Sequence, residues 1–252
     1  MKGSKKYWII LFAILAIPFR PLTAQEEKKL QPELGCDIVS SYIWRGSAVY
    51  ATLGDQNVLS PSLQPGFALG FQGLKLGAWG SVDFTGTYKE LDYYLSYSLK
   101  GFTLSVTDYY WASDWINDNF FEYGSDSTSH YLEASLAYKG EKIPVSILVA
   151  TMLYGADKQF DDPAKNNYST YIEVGYGFKV SDYKLDLFLG MTPSDGMYGD
   201  GYGGRDGFAI VNAGVTGSKT IKITENWSLP VKASLIANPQ ARKLFLAFIL
   251  SI

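Results

Sequence analysis

Hydrophobic and polar positions alternate with a period of two between Leu74 and Trp111. Leu74, Leu76, Ala78, Val82 and Phe84 are apolar in a first run, and Leu91, Tyr93, Leu95, Tyr97 and Leu99 in a second. Between them fall Lys75, Gly77, Ser81 and Asp83, then Glu90, Asp92, Tyr94, Ser96 and Ser98. Successive side chains of a β-strand leave opposite faces, so the pattern predicts strands with one apolar and one polar face. Each run is about ten residues, enough for a tilted strand to cross a bilayer and longer than the ~5–6 of an ordinary strand. Lys100-Gly101 suits a tight hairpin into Phe102–Val106. A transmembrane barrel has this pattern, and so does a soluble sandwich with one face on its core.

The same reading along the chain predicts about twelve strands. They are Gly35–Trp44, Gln64–Phe71, Leu74–Phe84, Lys89–Leu99, Phe102–Trp111, Ser129–Tyr138, Pro144–Leu153, Tyr168–Lys179, Tyr183–Thr192, Gly207–Lys219, Trp227–Ile236 and Arg242–Ile252. The connections decide between the two folds. Gln72-Gly73, Lys100-Gly101, Lys139–Ile143, Val180–Asp182 and Thr220–Asn226 are short; the alternate set includes long loops at Gly46–Ser62, Ala112–Thr128, Tyr154–Asn167 and Pro193–Asp206. Short turns at one end and long loops at the other belong to a membrane barrel, and a sandwich has no reason to sort loops by parity. The expected fold is therefore all-β, a transmembrane antiparallel up-and-down β-barrel of about twelve strands. Tyr42, Trp44, Tyr110, Tyr154 and Tyr168 at the outer ends, and Phe71, Phe102, Tyr138, Phe178, Tyr183 and Trp227 at the inner ends, are placed for two aromatic belts.

Residues 1–24 read as a cleaved signal peptide. Lys2, Lys5 and Lys6 precede an apolar run from Trp8 to Ile17, and Leu22-Thr23-Ala24 offers a cleavage site. Residues 25–33 are then a short periplasmic lead-in and 34–252 the barrel. Removing the four cations of the first 24 residues takes the net charge from −3 to −7. A mildly acidic chain argues against nucleic-acid binding. With a single Cys36 there is no internal disulfide, and with a single His130 there is no His-rich metal site. The outer loops carry acids such as Asp157, Asp161 and Asp162 without the spacing of a calcium loop. No cofactor is expected.

The motifs Ser40-Ser41-Tyr42-Ile43-Trp44-Arg45-Gly46, Ser60-Pro61-Ser62-Leu63-Gln64-Pro65, Gly77-Ala78-Trp79-Gly80-Ser81, Glu90-Leu91-Asp92 and Asp108-Tyr109-Tyr110-Trp111 resemble the TorF-type porins of Gram-negative outer membranes. The resemblance covers the first half of the mature chain by motif and the second half by pattern. It implies an outer-membrane barrel reached through a signal peptide, with outer-membrane lipid, small solutes and the barrel assembly machinery as partners. Many such barrels end in Phe, whereas this chain ends in Ile252.

Alternation turns Lys75, Asp83, Glu90, Asp92, Glu133, Glu173, Lys179, Lys184, Asp186 and Lys232 into the lumen, with Asp37 and Arg45. Lipid-facing Arg or Lys near mid-depth costs about 2–4 kcal/mol, which forces this placement. The mixed ring reads as the lining of a passive pore for small solutes or as a salt-bridged filling. Asp108 breaks the pattern by falling on the apolar face with Val106. A closed barrel that binds partners through its long loops is the alternative reading. A lipid-modifying enzyme would have to start from Ser129-His130, with Ser127 and Glu133 near, and a rim histidine without chemistry is the simpler account, so no enzyme is expected.

Overall fold

A computed structural model describes residues 29–53, 56–111, 118–198 and 207–252. The expected signal peptide and parts of three long loops lie outside the described residues. The strands are β1 (Gln31–Val39), β2 (Ile43–Trp44), β3 (Ser47–Ala48), β4 (Ala51–Leu53), β5 (Gln56–Val58), β6 (Ser62–Phe71), β7 (Leu74–Asp83), β8 (Lys89–Leu99), β9 (Phe102–Tyr110), β10 (His130–Lys139), β11 (Val145–Gly155), β12 (Thr170–Val180), β13 (Tyr183–Thr192), β14 (Ala209–Lys222), β15 (Ser228–Asn238) and β16 (Lys243–Ser251). There is no helix among the described residues.

Twelve of these strands, β1 and β6 to β16, form one closed antiparallel barrel in which sequence neighbours pair and β1 closes against β16. The seam is short: Asp37 pairs with Ser251, Ile38 with Leu250 and Val39 with Ile249, and Cys36 exchanges backbone hydrogen bonds with Ile252 at 2.8 and 2.9 Å. The register carries the alternation around the ring. Leu76 pairs with Leu95, Leu95 with Val106 and Leu136 with Leu104, so one face of the sheet is a continuous apolar surface. These side chains are exposed on the outside of the barrel, as are Leu187, Leu235 and Leu246 on the far wall.

Turn chemistry sets the short end. Gln72-Gly73 and Lys100-Gly101 both have positive φ at each residue, 49° and 84° in the first and 49° and 81° in the second. That is the two-residue turn whose twist matches antiparallel strands, and it needs glycine at its second position. Inside the barrel, glycines also make room for rings from the next strand. A Cβ on Gly77 would stand 2.3 Å from Tyr94 Cζ, and one on Gly214 would stand 2.5 Å from Phe188 Cζ. Rings laid across glycines in this way narrow the lumen without pushing the strands apart.

The first strand departs from expectation. It begins at Gln31, inside the predicted lead-in, and stops at Val39 instead of reaching Trp44. Ser40 still ties to β16, its N–H donating to Phe248 O at 2.9 Å and its Oγ accepting from Phe248 N at 2.9 Å. Beyond it the chain leaves the wall, because the rings of Tyr42 and Trp44 and the Arg45 guanidinium find their partners inside the barrel. The Gly46–Ser62 stretch, read as an irregular loop, contains β3, β4 and β5, paired as the hairpins β2–β3 and β4–β5.

Gly77→Val overpacks the Tyr94 ring and is expected to cost about 1–3 kcal/mol. The urea midpoint of the refolded protein checks it. The Gly77→Val/Tyr94→Ser double variant is expected to be less destabilised than the sum of the two single changes.

Candidate functional site

The lumen is divided in two. Toward the long-loop end it is filled by the β2–β3 hairpin. Arg45 and Gly46 form its turn with φ of 49° and 81°, the same geometry as the two short-end turns. The turn is pressed against the wall: a Cβ on Gly46 would sit 1.9 Å from Val211 O, and Asn238 Nδ2 donates to Gly46 O at 3.2 Å. Trp44 meets Tyr109 and Trp111 on one side, with centroids 5.8 and 5.2 Å away, and Tyr198 on the other at 5.6 Å. Tyr42 packs on Trp79 at 5.6 Å. Contacts with β7, β9, β12, β14 and β15 surround the hairpin, so it is a plug.

One ion pair fastens it. Arg45 Nη1 and Nη2 donate to Glu133 Oε2 and Oε1 at 2.5 and 2.9 Å, a two-pronged grip. Both side chains are nearly buried, 10% and 2% exposed. The guanidinium also donates to Tyr198 Oη and lies over the rings of Trp44 and Tyr171 at 4.5 and 4.9 Å. Tyr109 Oη donates to Glu133 Oε1 at 3.1 Å. A paired charge of this kind, once stripped of its partner, is costly in a low-dielectric interior.

The other acids of this half, Asp92 apart, are satisfied by neutral donors. Glu90 accepts from Tyr88 Oη at 2.7 Å and from the Trp111 indole. Glu173 accepts from Tyr171 Oη at 2.5 Å and from Asn212 Nδ2 at 3.1 Å. A bulge between Gly190 and Met191 turns Val211 and Asn212 both inward, which brings the amide to Glu173. Asp83 accepts from the N–H groups of Thr85 and Tyr88 at 2.8 and 2.6 Å and so shapes the Thr85–Tyr88 connection. Asp92 is buried beside Glu90, and its Oδ1 has no hydrogen-bond partner among the described residues.

Toward the short-turn end the inward-facing polar side chains are accessible to solvent. Ser98, Lys139, Lys179 and Lys184 are exposed, and Ser96, Ser105, Thr107, Thr216, Ser218 and Lys232 are half-buried. Lys75 is bonded to Glu33 at 2.8 Å and Lys184 to Asp186 at 2.6 Å. All ten lumen candidates read from the sequence lie on the inward register. Asp83, Glu90, Asp92, Glu133 and Glu173 surround the plug, and Lys75, Lys179, Lys184, Asp186 and Lys232 line the open half. The motif residues Ser40, Ser41, Tyr42, Trp44, Arg45 and Gly46 carry the chain off the wall and form the plug. Tyr42 and Trp44 are therefore interior residues and not part of an outer aromatic belt. The Arg45-Gly46 pair, the same dipeptide type as Gln72-Gly73, was the signal in the sequence for a hairpin here.

His130 and Asp108 explain each other. They lie on adjacent strands of the outer face, His130 Nδ1 2.8 Å from Asp108 Oδ1. Residues 120–123 fold down over them: His130 Nε2 donates to Phe120 O at 2.7 Å, and the Tyr123 ring stacks on the imidazole at 4.1 Å. Tyr123 Oη donates to Asp108 Oδ2 at 2.8 Å. Burial, then that bond to the Asp108 carboxylate and its charge, push the Tyr123 phenol up to about 12, so it stays a donor. The Ser129 hydroxyl donates elsewhere, to Asp118 at 2.8 Å. Nε2 faces a carbonyl where a nucleophile's hydroxyl would have to be, and the cluster has the geometry of a clasp.

No family model and no curated protein matches the chain. Among solved structures it is similar to "Salmonella typhi OmpF complex with Daunomycin", with 10% identity and a TM-score of 0.37 over 87% of this chain and 96% of that chain. The fold assignment rests on the strand order and register above, and the TorF-type resemblance rests on its motif residues.

Arg45→Met leaves Glu133 buried without its cation and is expected to cost about 3–5 kcal/mol. Arg45→Met/Glu133→Leu is expected to recover most of that loss. Urea unfolding, with limited proteolysis of residues 40–61 as the local readout, checks both.

Proposed function

We propose that the chain is an outer-membrane barrel that passes small solutes through a lumen closed at its long-loop end by the β2–β3 hairpin. The observation that carries this reading is the two-part lumen. A polar, water-accessible half ends at a plug whose tip is a two-residue turn seated on the wall and which is fastened by one ion pair. Barrels of about eight strands are filled by their own side chains, and twelve strands enclose more room than that. The apolar outer surface supports a position in lipid, with the barrel assembly machinery as a partner in biogenesis. The Asp108–His130 clasp supports a non-enzymatic role. The extent of the plug favours a second reading, a closed barrel that binds partners through its loops.

Single-channel recording of the purified, refolded full-length protein in a planar bilayer tests the proposal. Small or intermittent salt-dependent conductance is expected for the parent, and larger, steadier conductance for Arg45→Met/Glu133→Leu. Silence of both variants, in protein that shows the heat-modifiable gel shift of a folded barrel, would overturn the channel and turn attention to the loops.

The position in lipid has its own test. Leu95→Arg, on the outer face near mid-strand, is expected to cost about 2–4 kcal/mol of folding stability in vesicles. Ser96→Arg, one residue away and facing the lumen, is expected to cost far less. Equal effects would contradict the inward and outward assignment in a bilayer.

A further inference from the structure

The charges of the lumen are sorted along its axis. The acids around the plug are each engaged by Arg45 or by hydroxyl, amide, indole or backbone donors, apart from one Asp92 oxygen. The open half holds the lysines. Lys179 pairs in register with Lys184, Lys184 with Ser218, and Ser218 with Lys232, so three ammonium groups and a hydroxyl share one row across β12 to β15. At about 4.8 Å per strand the row spans about 14 Å of wall. Lys184 is bonded to Asp186, which leaves Lys179 and Lys232 without an ion-pair partner among the described residues. Lys139 and Lys222 add two more cations toward the same end. Against them the open half sets Asp37 and Asp186, and the short turns add Glu141, Asp182 and Glu225; of these acids Asp186 is held by Lys184 and Asp182 by Lys219, as Glu33 is by Lys75.

We propose that this row is an anion-binding wall and that the solutes admitted from the short-turn end are small anions bearing phosphate or carboxylate groups. The inference rests on the channel reading for its transport half and on the register alone for its binding half. Unpaired ammonium groups inside a low-dielectric tube focus a positive potential into the water between them and raise the local anion concentration. The Ser218 hydroxyl lies between Lys184 and Lys232 in the row and donates to the Lys184 carbonyl oxygen at 3.5 Å. Lysine suits a passing anion, since it is a strongly hydrated point charge and releases what a two-pronged arginine would hold.

The experiment compares the parent with Lys179→Gln/Lys232→Gln, which leaves the Lys184–Asp186 pair intact. The reversal potential in a KCl gradient is expected to show chloride preferred over potassium about threefold in the parent and close to onefold in the variant. Isothermal titration of the refolded protein with inorganic pyrophosphate is expected to show binding that weakens about tenfold in the variant. A conducting parent that prefers potassium, or a variant with unchanged selectivity, overturns the inference and leaves the channel standing. If neither protein conducts, the channel reading fails, and pyrophosphate binding lost in the variant still upholds the anion wall. No pyrophosphate binding in a silent parent overturns both.

Discussion

The lumen exists only because β1 reaches β16. An open sheet with these faces would leave the N–H and C=O groups of two long edges unpaired, and in hydrocarbon each such group costs several kcal/mol. Closure removes the edges, and it turns a two-faced sheet into a tube with an inside. Every later feature follows from that inside. The polar face needs water or internal partners, the charged face becomes a ring of acids and lysines, and a hairpin detached from the wall has somewhere to go. The seam that achieves this is narrow, with Cys36 to Ser40 against Phe248 to Ile252.

Within the tube, the two halves solve the problem of polar side chains differently. Around the plug, water is excluded, and the acids are met by protein donors: Arg45 for Glu133, phenols and an indole for Glu90, a phenol and an amide for Glu173. In the open half, water solvates the lysines, and Lys179 and Lys232 carry no ion-pair partner among the described residues, whereas Lys75 and Lys184 are paired with Glu33 and Asp186. The boundary between them falls where the hairpin ends. The plug therefore decides which charges speak to solution and which are silenced by partners.

Much of this was legible in the chain. Period-two alternation over runs such as Leu74–Asp83 follows from the pleat, so it survives without tertiary information, and it put all ten lumen candidates on the inward register. The parity of loop lengths identified the two ends. The fate of the Tyr42–Gly46 segment was not legible in the same way. Aromatic residues at a strand's outer end suit both a membrane interface and a packed lumen, and the choice depends on partners such as Trp79, Tyr109 and Tyr198 that lie far away in sequence. Asp108 shows the opposite case. Its break in pattern was visible, while its resolution required a loop residue, Tyr123, to fold back over the outer wall onto His130.

The position of Gly46 links the plug to the history of the barrel. Its carbonyl is held by Asn238 and its α-carbon is pressed on Val211, residues of β15 and β14. The hairpin follows directly on β1, so it is made early in the chain, yet its seat is not complete until the last strands arrive. The share of its binding energy that comes from Val211 and Asn238 is therefore available only once those strands are in place. In that sense the plug is an intramolecular ligand for closure. It is tethered at high effective concentration to the strand that must find β16, and it favours the finished tube over any open intermediate.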